Sequence, residues 1–290
     1  MDNYIYTYHC GMLKMFSNYQ ASNTGVHFHY DHDAPQLIVL KEKYEIEKVA
    51  GGGDTFQQAL SLMRWVNANI YHNDNAVIEP YHSLAILDHC FQKEENTSLV
   101  CFCLAVVLNE CLLSIGIKSR ILHLYPANPY EFDSHVVVMA YIQTLNKWIM
   151  LDPTYNCYCM DKDNHPLSPW EIRMKLAERE IVICNEDMHN NGVHQSAQQA
   201  TIWRTQYYAK NMFFMYSTEI NTFHSELFPQ KEGYLNSQRN VYLCPEGFDP
   251  FQFELEKMKF CGWEEDYHFI KNTKAHRIVL NFAEFTKIPE

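Results

Sequence analysis

Ser98-Leu99-Val100-Cys101-Phe102-Cys103-Leu104-Ala105-Val106-Val107-Leu108-Asn109-Glu110-Cys111-Leu112-Leu113-Ser114-Ile115-Gly116 is the stretch that decides the architecture. It is too long and too evenly apolar for a strand, so it predicts a helix buried on most sides. Thr97 or Ser98 is the expected N-cap, and Gly116 stands where a left-handed residue closes a helix. Just before it, Gly51-Gly52-Gly53 breaks the chain and Asp54 or Thr55 caps an amphipathic helix along which Phe56, Leu60, Met63 and Ile70 keep helical spacing. Pro80 opens a second helical stretch through Leu84, Leu87 and Phe91. Just after it come three strand-like runs, Ser119–Tyr125, His135–Ile142 and Lys147–Leu151, the last two joined by a short Gln143-Thr144-Leu145-Asn146 loop. A buried helix followed by hairpin-linked strands reads as an α+β core, the helix packed on an antiparallel β-sheet.

The flanks elaborate this core. In the first fifty residues Val26, Phe28 and Tyr30 alternate with His27 and His29, and residues 37–40 form a short apolar run, so residues 1–53 are expected to be strand-like and packed on the core. Residues 54–160 form the core itself. Residues 161–290 are expected to be an α/β extension of the same domain. In it, Ser168-Pro169-Trp170-Glu171 is a capping box with proline at the first helical position, residues 185–199 are a polar connection, and residues 203–216 are aromatic and amphipathic. Residues 240–243 and 276–282 are strand-like.

Composition narrows the function. With 47% hydrophobic and 20% charged residues the chain has material for a large core. Its net charge of −12 argues against a nucleic-acid partner, which needs a basic face. No apolar run approaches the length of a membrane span, and Met1-Asp2-Asn3-Tyr4 does not begin an export signal, so no membrane association and a cytoplasmic location are expected. Ten cysteines in such a setting should remain thiols.

Three residues then suggest chemistry. Cys101 falls in the first turn of the predicted helix, where unpaired N–H groups and the helix dipole favour a thiolate, the nucleophilic form. His135 opens an apolar strand, where a base can be held rigidly facing a cleft. Asp152 ends the next strand, where Pro153 stops the pairing. On antiparallel neighbours the start of one strand lies beside the end of the next, so His135 and Asp152 can meet. Nucleophile, base and orienting carboxylate are the set that acyl transfer requires.

At these residues the chain resembles the transglutaminase-like superfamily of papain-like cysteine enzymes. The shared pattern is a cysteine opening a helix, a Gly-Ile with arginine close behind, a histidine opening a strand, and Trp-x-x-x-Asp-Pro-Thr ending the next. Here these are Cys101, Gly116-Ile117-Lys118-Ser119-Arg120, His135 and residues 148–154, within a span of roughly 55 to 156. The resemblance implies Cys101 as nucleophile, His135 as base and Asp152 as orienting carboxylate, on a transglutaminase-like/papain-like core. It implies acyl transfer or hydrolysis at amide bonds of a protein or peptide through a thioester, peptidase or amidase chemistry favoured over cross-linking, with no cofactor and no metal. Leu99 stands where many members carry glycine, which leaves the backbone N–H of Cys101 as the default oxyanion donor. A catalytically inactive domain of this type acting as a binding module is the alternative.

Other motifs compete. His27-Phe28-His29-Tyr30-Asp31-His32 spells the metal-binding fingerprint of metallo-β-lactamase-like hydrolases, but only 26 residues precede it and that fold needs strands there. Cys101-Phe102-Cys103 and Cys157-Tyr158-Cys159 are C-x-C pairs, whereas zinc ribbons use tandem C-x-x-C pairs, so no zinc finger is expected. Cys157 and Cys159 follow Asp152 closely enough to lie near its cleft.

Overall fold

A computed structural model describes residues 4–21, 25–92, 97–194, 196–225, 239–272 and 277–289. In chain order its first half runs α1 (Tyr4–Met15), β1 (His29–Tyr30), α2 (Pro35–Lys43), α3 (Ile46–Ala50), α4 (Thr55–Asn69), β2 (Tyr71–His72), α5 (Ser83–Phe91), β3 (Ser98–Leu99), α6 (Cys101–Ser114), β4 (Ser119–Tyr125), β5 (His135–Ile142) and β6 (Lys147–Leu151). The second half adds β7 (Cys159–Met160), α7 (Pro169–Ala177), β8 (Ile183–Cys184), β9 (His189–Asn190), β10 (Val193–His194), α8 (Ala197–Asn211), β11 (Phe214–Thr218), β12 (Ile220–Asn221), β13 (Asn240–Leu243), α9 (Pro250–Cys261), α10 (Glu264–Asn272), β14 (Arg277–Val279) and α11 (Phe282–Phe285).

The expected α+β core is present. Among the described residues, six strands form one sheet in the order β14-β13-β11-β4-β5-β6, antiparallel except for the β13–β14 edge. Both faces are covered. Ile121, Val138, Ala140 and Ile149 turn towards α2–α6, while Leu122, Val137, Met139 and Met150 turn towards a second core built from α1, α7, α8 and the C-terminal elements. Double coverage explains why β4 and β5 are apolar almost without alternation, although they are antiparallel. At the centre of the first core lies α6, buried from Phe102 to Ser114 and packed on β4 and β5. Each fully buried leucine along it contributes roughly 1.5–3 kcal/mol. Its two interior polar residues have partners: Asn109 Oδ1 accepts from Ser119 Oγ at 2.8 Å, and Glu110 accepts from the backbone N–H groups of Ser83 and His224, each at 2.9 Å. None of the helices among the described residues is long and apolar enough to cross a membrane.

Several local expectations need correction. The first fifty residues are mainly helical, and only His29–Tyr30 pairs as strand. The run at 37–40 is β-branched in part, yet Pro35 sits in the first turn of α2, and Leu37 and Leu40, three apart, bury completely while Ile38 and Val39 stay outside. Helical burial outweighed strand propensity there. The second helical stretch begins at Ser83, with the His82 ring capping the Ala85 N–H, not at Pro80. Nor does Thr97 or Ser98 cap α6. Their segment is engaged instead in a parallel ladder with β2, and Val100 occupies the cap with no side-chain bond. The connection at 185–199 contains the β9–β10 hairpin, and the 276–282 run is strand only over Arg277–Val279, with His276 outside the described residues. Gly116 does adopt positive φ, at 82°, and the capping box at Ser168 is formed.

Candidate active site

The three residues singled out by the sequence meet at the start of α6. In the β5–β6 ladder Val138 pairs with Leu151, so Asp152 falls opposite Val137, and His135 lies two residues along on the same face. The pair is thus diagonal, within reach of a ring and a carboxylate. His135 Nε2 lies 2.7 Å from Asp152 Oδ2, with both side chains buried. The ring's other nitrogen is left for Cys101, the first residue of α6, whose thiol feels both the His135 ring and the Val136 backbone. Of the three, Cys101 alone is partly open to solvent.

Electrostatics follow from this chain of contacts. Burial pushes the Cys101 thiol up, but hydrogen bonds from His135 and His72, and the charge on His135, outweigh it and bring the thiol down to about 6. Burial likewise disfavours a charged His135, and Asp152 together with the Cys101 thiolate overcomes it, raising the ring to about 9. Asp152 would rise on burial, yet His135, Arg204 and Tyr208 hold it below the ordinary carboxylate range. The site therefore favours a thiolate–imidazolium pair backed by a carboxylate.

Further residues complete the site. His72 reaches Cys101 because the β2–β3 ladder pairs it with Leu99, two residues before the thiol, and its ring also lies 3.3 Å from Asp74. Tyr208 donates its hydroxyl to Asp152 Oδ2 at 2.8 Å, and the Thr154 N–H donates to Oδ1 at 3.1 Å. The Arg204 guanidinium packs 3.7 Å from the Tyr155 ring centroid and 4.5 Å from that of Tyr207, with Nη1 4.0 Å from Asp152 Oδ2. From the other side of the molecule, Asn67 on α4 donates to the carbonyls of Pro153 and Thr154, fixing the turn that presents Asp152. The sequence reading missed His72, Arg204 and Tyr208. For the last two a signal existed: positions 204, 207 and 208 share one face of a helix, and an arginine among tyrosines there is an unusual buried stripe. His72 depends on a two-residue ladder that no periodicity reveals.

Other candidates separate. Arg120 is fully buried, its guanidinium 3.6 Å from the Phe28 ring centroid, and it donates to the Phe285 carbonyl at 3.0 Å, so it ties both termini to β4. The His27–His32 group does not converge among the described residues: His32 Nδ1 lies 3.2 Å from the Leu113 carbonyl and Asp31 accepts from Thr222. Cys103 is a buried thiol pushed up by burial to about 11. Cys157 and Cys159, by contrast, gather with Cys184 in a buried trio beside Asp152. Hydrogen bonds from the other two thiols hold Cys184 below the ordinary thiol range.

Residues 42–153 match the model of the transglutaminase-like superfamily. No curated protein matches the chain. Among solved structures, the chain is similar to a candidate cysteine protease from Cytophaga hutchinsonii, with 16% identity and a TM-score of 0.33 over 40% of this chain and 37% of that one. It is also similar to a candidate protease from Parabacteroides distasonis, with 14% identity and a TM-score of 0.28 over 49% of this chain and 26% of that one. The chain thus spans well under half the length of either. Over residues 42–153, the chain is thus similar to the transglutaminase-like superfamily.

Proposed function

We propose that the protein is a cysteine-dependent enzyme acting at amide bonds of a protein or peptide, with Cys101 as nucleophile, His135 as acid–base and Asp152 as the carboxylate that orients it. The observation that carries this reading is the buried His135–Asp152 pair, 2.7 Å apart, set beside the partly exposed Cys101 at the start of α6, whose thiol His135 helps to hold near 6. Within it the Cys101 proton resides on His135, and the thiolate attacks the carbonyl carbon. The oxyanion is stabilised by the Cys101 N–H at the start of α6, where no side chain caps the helix. Imidazolium then protonates the departing amine, leaving a thioester. Water, deprotonated by His135, resolves the thioester and restores the thiolate. Hydrolysis is favoured over transfer, water being the acceptor always at hand for a thioester at a partly exposed residue. Asp152 keeps its charge throughout, holding the tautomer and stabilising the imidazolium.

A binding module would have no use for this arrangement. Burying Asp152, His135 and Arg204 together costs desolvation that an apolar cluster of the same volume avoids. Incubating the reduced protein with unfolded casein, with and without a primary amine, and mapping products by mass spectrometry tests the reading. New peptide termini or deamidated side chains are expected with the wild type, and neither with Cys101→Ala. Identical products from both proteins would remove Cys101 from the chemistry, and amine adducts would shift the reading to transfer.

A further inference from the structure

The thiol trio beside the Asp152 turn is separate from the nucleophile. We propose that Cys157, Cys159 and Cys184 form a three-thiolate site for one divalent thiophilic ion of the zinc class. Their sulfurs all lie within 4.8 Å of one another, and all three residues are essentially inaccessible. Two thiolates on one zinc, with bonds of about 2.3 Å, sit about 3.8 Å apart, so the trio needs only small adjustments to close on an ion. The backbone already imposes the convergence. Cys159 and Cys184 are direct partners across the β7–β8 ladder, and Cys157 precedes Cys159 by two residues.

Softness and charge agree with this assignment. Three sulfur donors suit a thiophilic ion and not magnesium or calcium, which take oxygen ligands. Three thiolates and a divalent ion leave one negative charge, and the buried cation facing the cluster is Arg204, whose Nη1 makes no hydrogen bond among the described residues. The Thr201 hydroxyl, 3.2 Å from the Cys184 N, supplies an oxygen beside the cluster for a fourth position. An ion there would also stiffen the presentation of Asp152, because Asp152 and Cys157 exchange both backbone hydrogen bonds, at 2.8 and 3.0 Å. Sequence spacing could not show the site, since its third ligand stands 25 residues beyond Cys159 on another strand.

The test uses the full chain carrying Cys101→Ala, so that the thiol–imidazole pair does not compete, reduced and handled without oxygen. Titration with cadmium(II) should produce a near-ultraviolet thiolate charge-transfer band that saturates at one ion per chain, and zinc(II) should suppress it. Cys184→Ser should lose about a third of the band and weaken binding at least about tenfold, whereas Cys10→Ser should leave both unchanged. Because a serine variant can fail to fold, the unsubstituted thiols are read as well. With zinc(II) present in mild urea, Cys157, Cys159 and Cys184 should be protected from alkylation and the remaining cysteines should not. A missing band, a band undiminished in folded Cys184→Ser, or equal labelling of the trio with and without zinc would each overturn the site.

Discussion

Asp152 shows how one side chain can serve chemistry and stability together. Its Oδ2 accepts from both His135 and Tyr208, its Oδ1 accepts from Thr154, and it is fully buried. A carboxylate at a strand end beside a cleft need carry little structural weight, but burial against Arg204 gives this one more. Asp152→Asn should therefore lower turnover per folded molecule by about two to four orders of magnitude. It should also lower the melting temperature, since it leaves a buried guanidinium without its acidic partner, a change costing on the order of 3–5 kcal/mol. Specific activity and thermal unfolding measured on one sample separate the two effects; unchanged activity per folded molecule would remove Asp152 from the mechanism. Tyr208→Phe isolates the positioning contribution. Losing one hydrogen bond should cost about 1 kcal/mol of stability and lower kcat by about tenfold while KM stays constant. A kcat equal to wild type in that variant would mean that His135 alone holds the carboxylate.

At the scale of elements, α6 carries both the proposed nucleophile and the core. It ends at Gly116, where φ is positive and a Cβ would meet open space, so the cost of a side chain there is conformational, not steric. Gly116→Ala should lower stability by about 1 kcal/mol in urea unfolding without changing the reactivity of Cys101, which stands at the opposite end of the helix and has no part in that strain. A loss of thiol reactivity in the folded variant would show that the helix end and the site are coupled. Glu110 joins α6 to the start of α5, and burial lifts its carboxyl to about 7 despite the hydrogen bonds from Ser83 and His224. A carboxyl raised in the folded state stabilises fully below its ordinary range, near 4.3, and that stability is lost as pH rises through about 7. Urea midpoints of the wild type should fall between pH 5 and 9, and those of Glu110→Gln should fall less. Parallel curves would show that Glu110 does not set this dependence. The elements most legible in the sequence were those with one dominant signal: α6 by its unbroken apolar run, β5 and β6 by short β-branched runs around a tight loop. The N-terminal helices were illegible because α1 and α2 each bury just two of their apolar residues, too few to mark a helical face. Leu37 and Leu40 select helix only through contact with the first core, and the sequence carries that contact nowhere locally.

Across the whole molecule the site is a joint product of distant segments. Helix α6 supplies Cys101, the β5–β6 hairpin supplies His135 and Asp152, α4 steadies the Asp-Pro-Thr turn, and α8, beyond the span that matches the family, supplies Arg204 and Tyr208. The triad was legible because its members sit at element ends that punctuation marks: a helix start, a strand start, and a strand stopped by proline. Their supporting residues were not, since they arrive through tertiary packing of the C-terminal extension. That assembly makes a directly measurable claim about the thiol. Its depressed value follows from contact with His135 and His72 against the opposing effect of burial, so the reactive thiolate should be populated above about 6 and lost as pH falls through it. Cys184 is also held low, but it is enclosed, so access leaves Cys101 to react first. The decisive measurement is the rate of iodoacetamide labelling at each cysteine as a function of pH, read by peptide mapping. The account predicts that Cys101 is labelled first and half-maximally near pH 6, and that in His135→Ala its midpoint moves towards the ordinary thiol range of about 8.5. Labelling of Cys101 that rises only in that ordinary range in the wild type, at rates shared with the other accessible thiols, would contradict it.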